Sequence, residues 1–158
     1  MMLRYAGLVA VLALSLGIAA PAIAQNADDP AEWTLGFLSR LNQNPDKAFQ
    51  EFKTDTYIGQ TVGASTEQIR DAYKANRNSF GISHSYELLL EQELGSRIKR
   101  VAAVLHHNKG AQLFTFDFYR HKPGDGWQLM AYRVETNLQK FPWDSATSPA
   151  ADRTVSRR

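Results

Sequence analysis

The stretch QLFTFDFYRHKPGDGWQLMAYRVETN, Gln112 to Asn137, decides how the rest of the chain is read. In its first half Phe114, Phe116 and Phe118 alternate with Thr115, Asp117, Tyr119 and His121. A period of two sends successive side chains to opposite faces of a strand. After Lys122-Pro123-Gly124-Asp125-Gly126, Met130, Tyr132 and Val134 alternate with Leu129, Ala131, Arg133 and Glu135. An even-offset register lays Met130, Tyr132 and Val134 beside the three phenylalanines, and that face is read as core. A slip of one residue puts Arg133 among them, and the cost of burying an unpaired charge excludes it. Pro123 and the glycines supply the turn, and Trp127 restarts the strand.

Upstream, His84 to Leu94 alternates in the same way, with Tyr86, Leu88 and Leu90 on one side. Gly95-Ser96 turns the chain into Arg97 to His107, and a short hairpin sets Arg97, Lys99 and Arg100 near Glu91 and Glu93 as cross-strand pairs. The alternation slips between Ile98 and Val101, where a β-bulge is expected. His106 and His107 are adjacent on a strand and face opposite ways, so they are poorly placed to share one metal ion.

The first half of the chain is helical by its caps. Asp29-Pro30-Ala31-Glu32 reads as an N-cap, a proline in the first turn and a reciprocal Glu, followed by the stripe Trp33, Phe37, Leu38 and Leu41. Asn44-Pro45 opens a second helix with Ala48, Phe49 and Phe52 on its apolar face. Thr54 to Ala64 reads as a loop over the sheet. Ser65-Thr66-Glu67-Gln68 reads as a capping box for a third helix running to about Asn78, with Gly81 ending the element.

Residues 1–24 combine Arg4, an apolar run through Ile18 and Ala22-Ile23-Ala24, the pattern of a cleaved secretory signal peptide. The chain is therefore read as periplasmic or secreted, with no membrane anchor after cleavage. Of 158 residues, 134 then remain, enough for one α+β domain spanning 29–143. Without cysteine, packing and backbone hydrogen bonds must carry its stability. The net charge of +2 drops to +1 with the loss of Arg4, which gives no electrostatic case for nucleic acid. Phe141 and Trp143 are expected to dock on the body, and 144–158 reads as a disordered tail.

Helices followed by four antiparallel strands, the last pair aromatic-rich around Pro123-Gly124-Asp125-Gly126-Trp127, resemble the nuclear-transport-factor-like, or cystatin-like cone, superfamily over Asp29 to Asn137. The resemblance implies N-terminal helices packed on a curved antiparallel sheet, with a pocket between them. It further implies that enzymes of this kind place an Asp or His in that pocket, and here Asp117 points away from it in the register above. His84 and Asp55 are the acid–base candidates left over. No phosphate loop, dinucleotide-binding glycine pattern or metal-ligand spacing is present, so no cofactor and no metal are expected. The reading is a non-catalytic domain for a small apolar ligand, walled by Trp33 and Phe116 with Tyr86 and Tyr132 as polar handles. The alternatives are an assembly module, such as a homodimer, using Asp117, Tyr119 and Arg133 on the outer face, and a lyase or isomerase.

Overall fold

The computed structural model describes residues 27–137 together with the short strand Val155–Ser156. Helices α1 (Pro30–Gln43), α2 (Pro45–Asp55), α3 (Tyr57–Thr61) and α4 (Gly63–Phe80) precede strands β1 (Ser83–Glu93), β2 (Ile98–His107), β3 (Gly110–Tyr119) and β4 (Gln128–Glu135). The fold is α+β, with the helices packed on one face of a curved, unclosed antiparallel sheet. Strand order is β4-β3-β2-β1-β5, where β5 is Val155–Ser156, paired with β1 at Tyr86 and Ser85. These two residues belong to the segment expected to be a disordered tail; its remaining residues, Phe141, Trp143 and the 1–24 segment lie outside those described.

Local signals account for most helix ends. Asp29 accepts from the Ala31 and Glu32 amides at 2.8 and 3.4 Å, Pro30 opens α1, and Asn44 does the same for α2 through the Lys47 amide at 3.1 Å. Such caps each contribute about 1 kcal/mol. Gly81 closes α4 at φ 85°, a backbone conformation that favours glycine.

Two helical expectations change. Thr54 to Ala64 is not a loop but a tight corner leading into α3. The Thr56 hydroxyl donates to the Phe52 carbonyl at 2.7 Å and accepts from the Gly59 amide at 3.0 Å, so one side chain closes α2 and opens α3. The helix start expected at Ser65 lies earlier: α4 begins at Gly63, Val62 at its N-cap makes no side-chain cap bond, and Thr66, in the first turn, is only 2% exposed.

The sheet register follows the hairpin reading at Phe114↔Val134 and Phe116↔Tyr132, then departs from it. Between Asp117 and Phe118 the ladder skips a residue of β4, so Phe118 faces Leu129 and Met130 is the extra residue. Leu129 is buried and Met130 is 45% exposed, the reverse of the assignment from alternation alone. The bulge expected between Ile98 and Val101 is absent from β2. The irregularities lie instead on β1, around His84 and Leu89. β2 breaks alternation for another reason: Val101, Ala103 and Leu105 face the helices, while Ala102 and Val104 are buried on the other side. A strand buried on both faces reads as a continuous apolar run.

The main core lies between α1, α2, α4 and the helix-facing side of the sheet. Trp33 stacks on Phe37 at 5.7 Å between centroids and meets Phe116 and Phe118 edge-on at 5.5 Å. Phe37 in turn touches Phe52, Phe114 and Phe116 at 5.4 to 6.4 Å. Edge and offset contacts of this kind add about 0.5–1.5 kcal/mol per pair beyond burial.

Candidate functional site

The pocket expected between helices and sheet is filled by side chains. Phe116, Val101, Ala103, Leu105, Leu41 and Tyr73 have no accessible surface, so none of them borders a space that admits a water molecule. The four residues assigned to that pocket are distributed accordingly. Phe116 is interior packing and Tyr86 is buried in the same core cluster. Trp33, Phe52 and Tyr132 extend the aromatic chain outward, with Phe52 and Tyr132 at 4.8 Å. Phe116 and Tyr86 are therefore walls with no cavity behind them, because three phenylalanines and the α1–α2 rings occupy the volume a cone would leave open.

Neither acid–base candidate reaches this interior. His84 is exposed at a β1 irregularity, 3.0 Å from the Ser85 hydroxyl and stacked on His106. Asp55 is exposed at the end of α2 and accepts from the Thr54 hydroxyl at 2.7 Å. With Asp28, Glu32, Trp33, Arg40 and Glu51 it borders a cleft of about 380 Å³ between α1 and α2. Arg40 pairs with Glu51 there at 3.1 Å, and Lys47, outside the cleft, reaches the same carboxylate at 3.7 Å.

His106 and His107 face opposite sides, as strand geometry requires. His106 sits 2.9 Å from a Glu87 carboxylate oxygen. His107 is buried, its Nδ1 2.9 Å from the Gly81 carbonyl and its Nε2 2.9 Å from Gln112 Oε1, while Gln112 Nε2 has no partner. If His107 Nδ1–H donates to Gly81, its Nε2 must accept. Turning the Gln112 amide over presents an N–H to it and removes the orphan donor. This network ties the end of α4 to β2 and β3 and is structural. Among the described residues no group of three His, Asp or Glu side chains is arranged to hold a metal ion.

On the face away from the helices, Asp117, Tyr119 and Arg133 do lie on one side of the sheet, but Asp117 is not paired with Arg133. Asp117 stands opposite Arg100 on β2 and Ala131 on β4, and Arg100 holds it in a two-pronged bond at 2.7 and 2.9 Å. That bond, with Asp117, raises the Arg100 guanidinium above its ordinary value. Arg133 stands opposite Thr115. Leu90, Ala102 and Leu113 form a second buried apolar cluster on this face; Leu90, expected on the same side as Tyr86 and Leu88, reaches it because the irregularity at Leu89 turns it over. Lys99, by contrast, pairs with Glu91 and Glu93 at 2.9 and 3.9 Å as the hairpin charges implied.

Protein-family models, curated proteins and solved structures give no match to this chain.

A second cleft has the features of a binding site. It holds about 500 Å³ between α2, α3 and α4 and is lined by Phe49, Lys53, Gly59, Gln60, Thr66 and Arg70, among others. Its exposed lining is mainly apolar. Gly59 lets α3 approach α2: a Cβ there would stand 2.3 Å from the Phe52 carbonyl oxygen and 2.7 Å from Lys53 Cα. Thr66 borders this cleft, and its buried hydroxyl has no hydrogen-bond partner; Tyr132, nearby but not lining the cleft, has a buried hydroxyl in the same state. Burial pushes Tyr132 above the ordinary phenol value. Thr66 is near enough to oppose that rise, though the two oxygens do not meet at hydrogen-bonding geometry. At the rim, Lys53 and Arg70 both engage Glu67, and Lys74 engages Asp46, holding that carboxyl below its usual range. None of the residues expected to bind lines this cleft, although Tyr132 lies next to Thr66, which does. Thr66 was read as part of a cap and Gly59 as part of a loop, because the contacts that give them their roles come from elements distant in sequence.

Proposed function

We propose that this chain is an exported, non-catalytic domain that binds a small, mostly apolar molecule in the cleft between α2, α3 and α4. The observation that carries the reading is a cleft of about 500 Å³, largely apolar, bordered by Thr66, whose buried hydroxyl has no hydrogen-bond partner. Buried polar groups in folded proteins are nearly always satisfied, and leaving one unmade costs roughly 1–3 kcal/mol. A ligand that supplies the missing bond turns that cost into affinity. Such an arrangement, apolar walls with a few polar groups that fix orientation, is the usual make-up of a small-molecule site. The site lies on the helical side, not in the interior between helices and sheet where the resemblance implied a pocket.

The test is native mass spectrometry of the protein recovered from its exporting host. The expected result is a non-covalent adduct of small mass, lost in Thr66→Met, a substitution that extends a longer side chain into the cleft. A wild-type protein with no adduct, and with cleft amide resonances unmoved by a panel of small apolar compounds, refutes the reading.

A further inference from the structure

We propose that the segment 138–154 crosses the sheet on the face away from the helices and covers the apolar centre of that face with Phe141 and Trp143. The crossing is independent of any ligand in the cleft between α2, α3 and α4.

The outer face has a buried centre. Leu90, Ala102, Val104 and Leu113 point away from the helices, yet each is 3% exposed or less. The helices pack on the opposite face, against Val101, Ala103, Leu105 and the phenylalanines of β3. Side chains on a bare sheet face stand roughly perpendicular to it and keep part of their surface in water, so something lies over these four.

The strand register points to the occupant. The chain leaves the sheet after Glu135, and Glu135, Leu113, Val104 and Glu87 stand opposite one another in a single row across β4, β3, β2 and β1. It returns at Val155, paired with Tyr86 one row further on, at the far edge of the sheet. Exit and return are thus four strand spacings apart, about 19 Å, with Leu113 and Val104 between them. Fully extended, residues 138–154 could span roughly 58 Å, which leaves slack to follow the outer surface. A path on the other side has to clear helices about 10–12 Å thick on the way out and again on the way back, and it leaves the four outer residues bare.

The segment carries suitable side chains. Phe141 and Trp143 are two positions apart with Pro142 between them. A residue before proline favours the extended conformation, and a spacing of two then sends both rings to one side. While the segment is in place, an interface between copies built on Asp117, Tyr119 and Arg133 has no apolar core to form around, because the apolar centre beside them is taken.

The chain has no cysteine, so introduced pairs report proximity without background. Three double variants of the full chain are treated with a short bis-maleimide at low protein concentration and read by intact mass and peptide mapping. The first is Ser145→Cys with Thr115→Cys, opposite Ala102 on the outer face; the second is Ser145→Cys with Ala72→Cys, exposed on α4; the third is Asn26→Cys with Thr115→Cys. The first should link within one molecule about tenfold or more faster than the others, because a docked segment raises the local concentration of one thiol at the other. Adding Phe141→Ser and Trp143→Ser should slow it to the rate of the Ala72 pair. Equal rates for the two Ser145 pairs, or a faster Ala72 pair, overturn the crossing. A faster Asn26 pair gives the face to the N-terminal segment instead, and Thr115 links formed mainly between molecules give it to a second copy. A fast link between positions 145 and 115 that survives loss of both rings overturns their assignment as the cover.

Discussion

Two glycine-to-alanine substitutions in helices should move stability in opposite directions. In a helix interior alanine is favoured over glycine by roughly 0.5–1 kcal/mol, because glycine loses more backbone freedom on folding. Gly36 in α1 has room for the change: its added Cβ meets only the end of the flexible Arg40 side chain, at 3.4 Å. Gly36→Ala should therefore stabilise by about that amount. At Gly59 the same methyl would lie 2.3 Å from the Phe52 carbonyl oxygen and 2.9 Å from that of Lys53. Both neighbours are backbone, held in α2 and tied to α3 through Thr56, so no rotamer change relieves the overlap. Overpacking of this kind costs typically 1–3 kcal/mol, and a backbone clash belongs at or above its upper end. After subtracting the helical gain, Gly59→Ala should destabilise by about 2 kcal/mol or more. Urea denaturation followed by circular dichroism reads both. The wild-type slope should be kept, with the midpoint raised for Gly36→Ala and lowered for Gly59→Ala. Equal stabilisation by both would refute the close approach of α2 and α3, and with it the geometry of the cleft.

Other substitutions test the core and the sheet. Phe116→Ala should destabilise by about 3–5 kcal/mol and Thr115→Ala by less than about 1 kcal/mol, and similar urea midpoints for the two would mean the faces of β3 are wrong. Leu129→Ala should cost about 2–5 kcal/mol, whereas Met130→Lys at the exposed bulge should stay within about 0.5 kcal/mol; a reversed order restores unbroken alternation in β4. Burial raises the phenol pKa of both Tyr73 and Tyr132, from an ordinary value of 10.0. Ser83 and Arg77 lower the first in part, and Thr66 the second. A raised folded value means that the unfolded chain loses these protons first, so the associated stability is complete below about pH 10 and is lost as pH rises through the folded values. Urea midpoints should fall as pH rises above about 10, and less steeply in Tyr73→Phe and Tyr132→Phe; slopes unchanged in both variants would refute the assignment.

Much of the fold is legible in the residues because it depends on near neighbours in the chain. Asp29-Pro30 and Asn44-Pro45 start helices with groups that bond two or three residues away, and Gly81 ends one by a backbone angle that favours glycine. The alternation of Phe114, Phe116 and Phe118 fixes which face of β3 is buried, and in turn the pairing with Tyr132 and Val134. Tertiary structure alone decides what depends on the distance between elements. Met130 is an extra residue only because Leu129 fills the place opposite Phe118, and Asp117 takes Arg100 because β2 stands across from it. Whether aromatic rings line a pocket or fill it is likewise a matter of volume. Their spacing along the chain is the same in both cases, while the separation of α1 and α2 from the sheet determines that Phe116 is packed solid. The open space lies instead between α2, α3 and α4, bordered by Thr66, in a stretch that reads as a helix cap, and by Gly59, in one that reads as a loop.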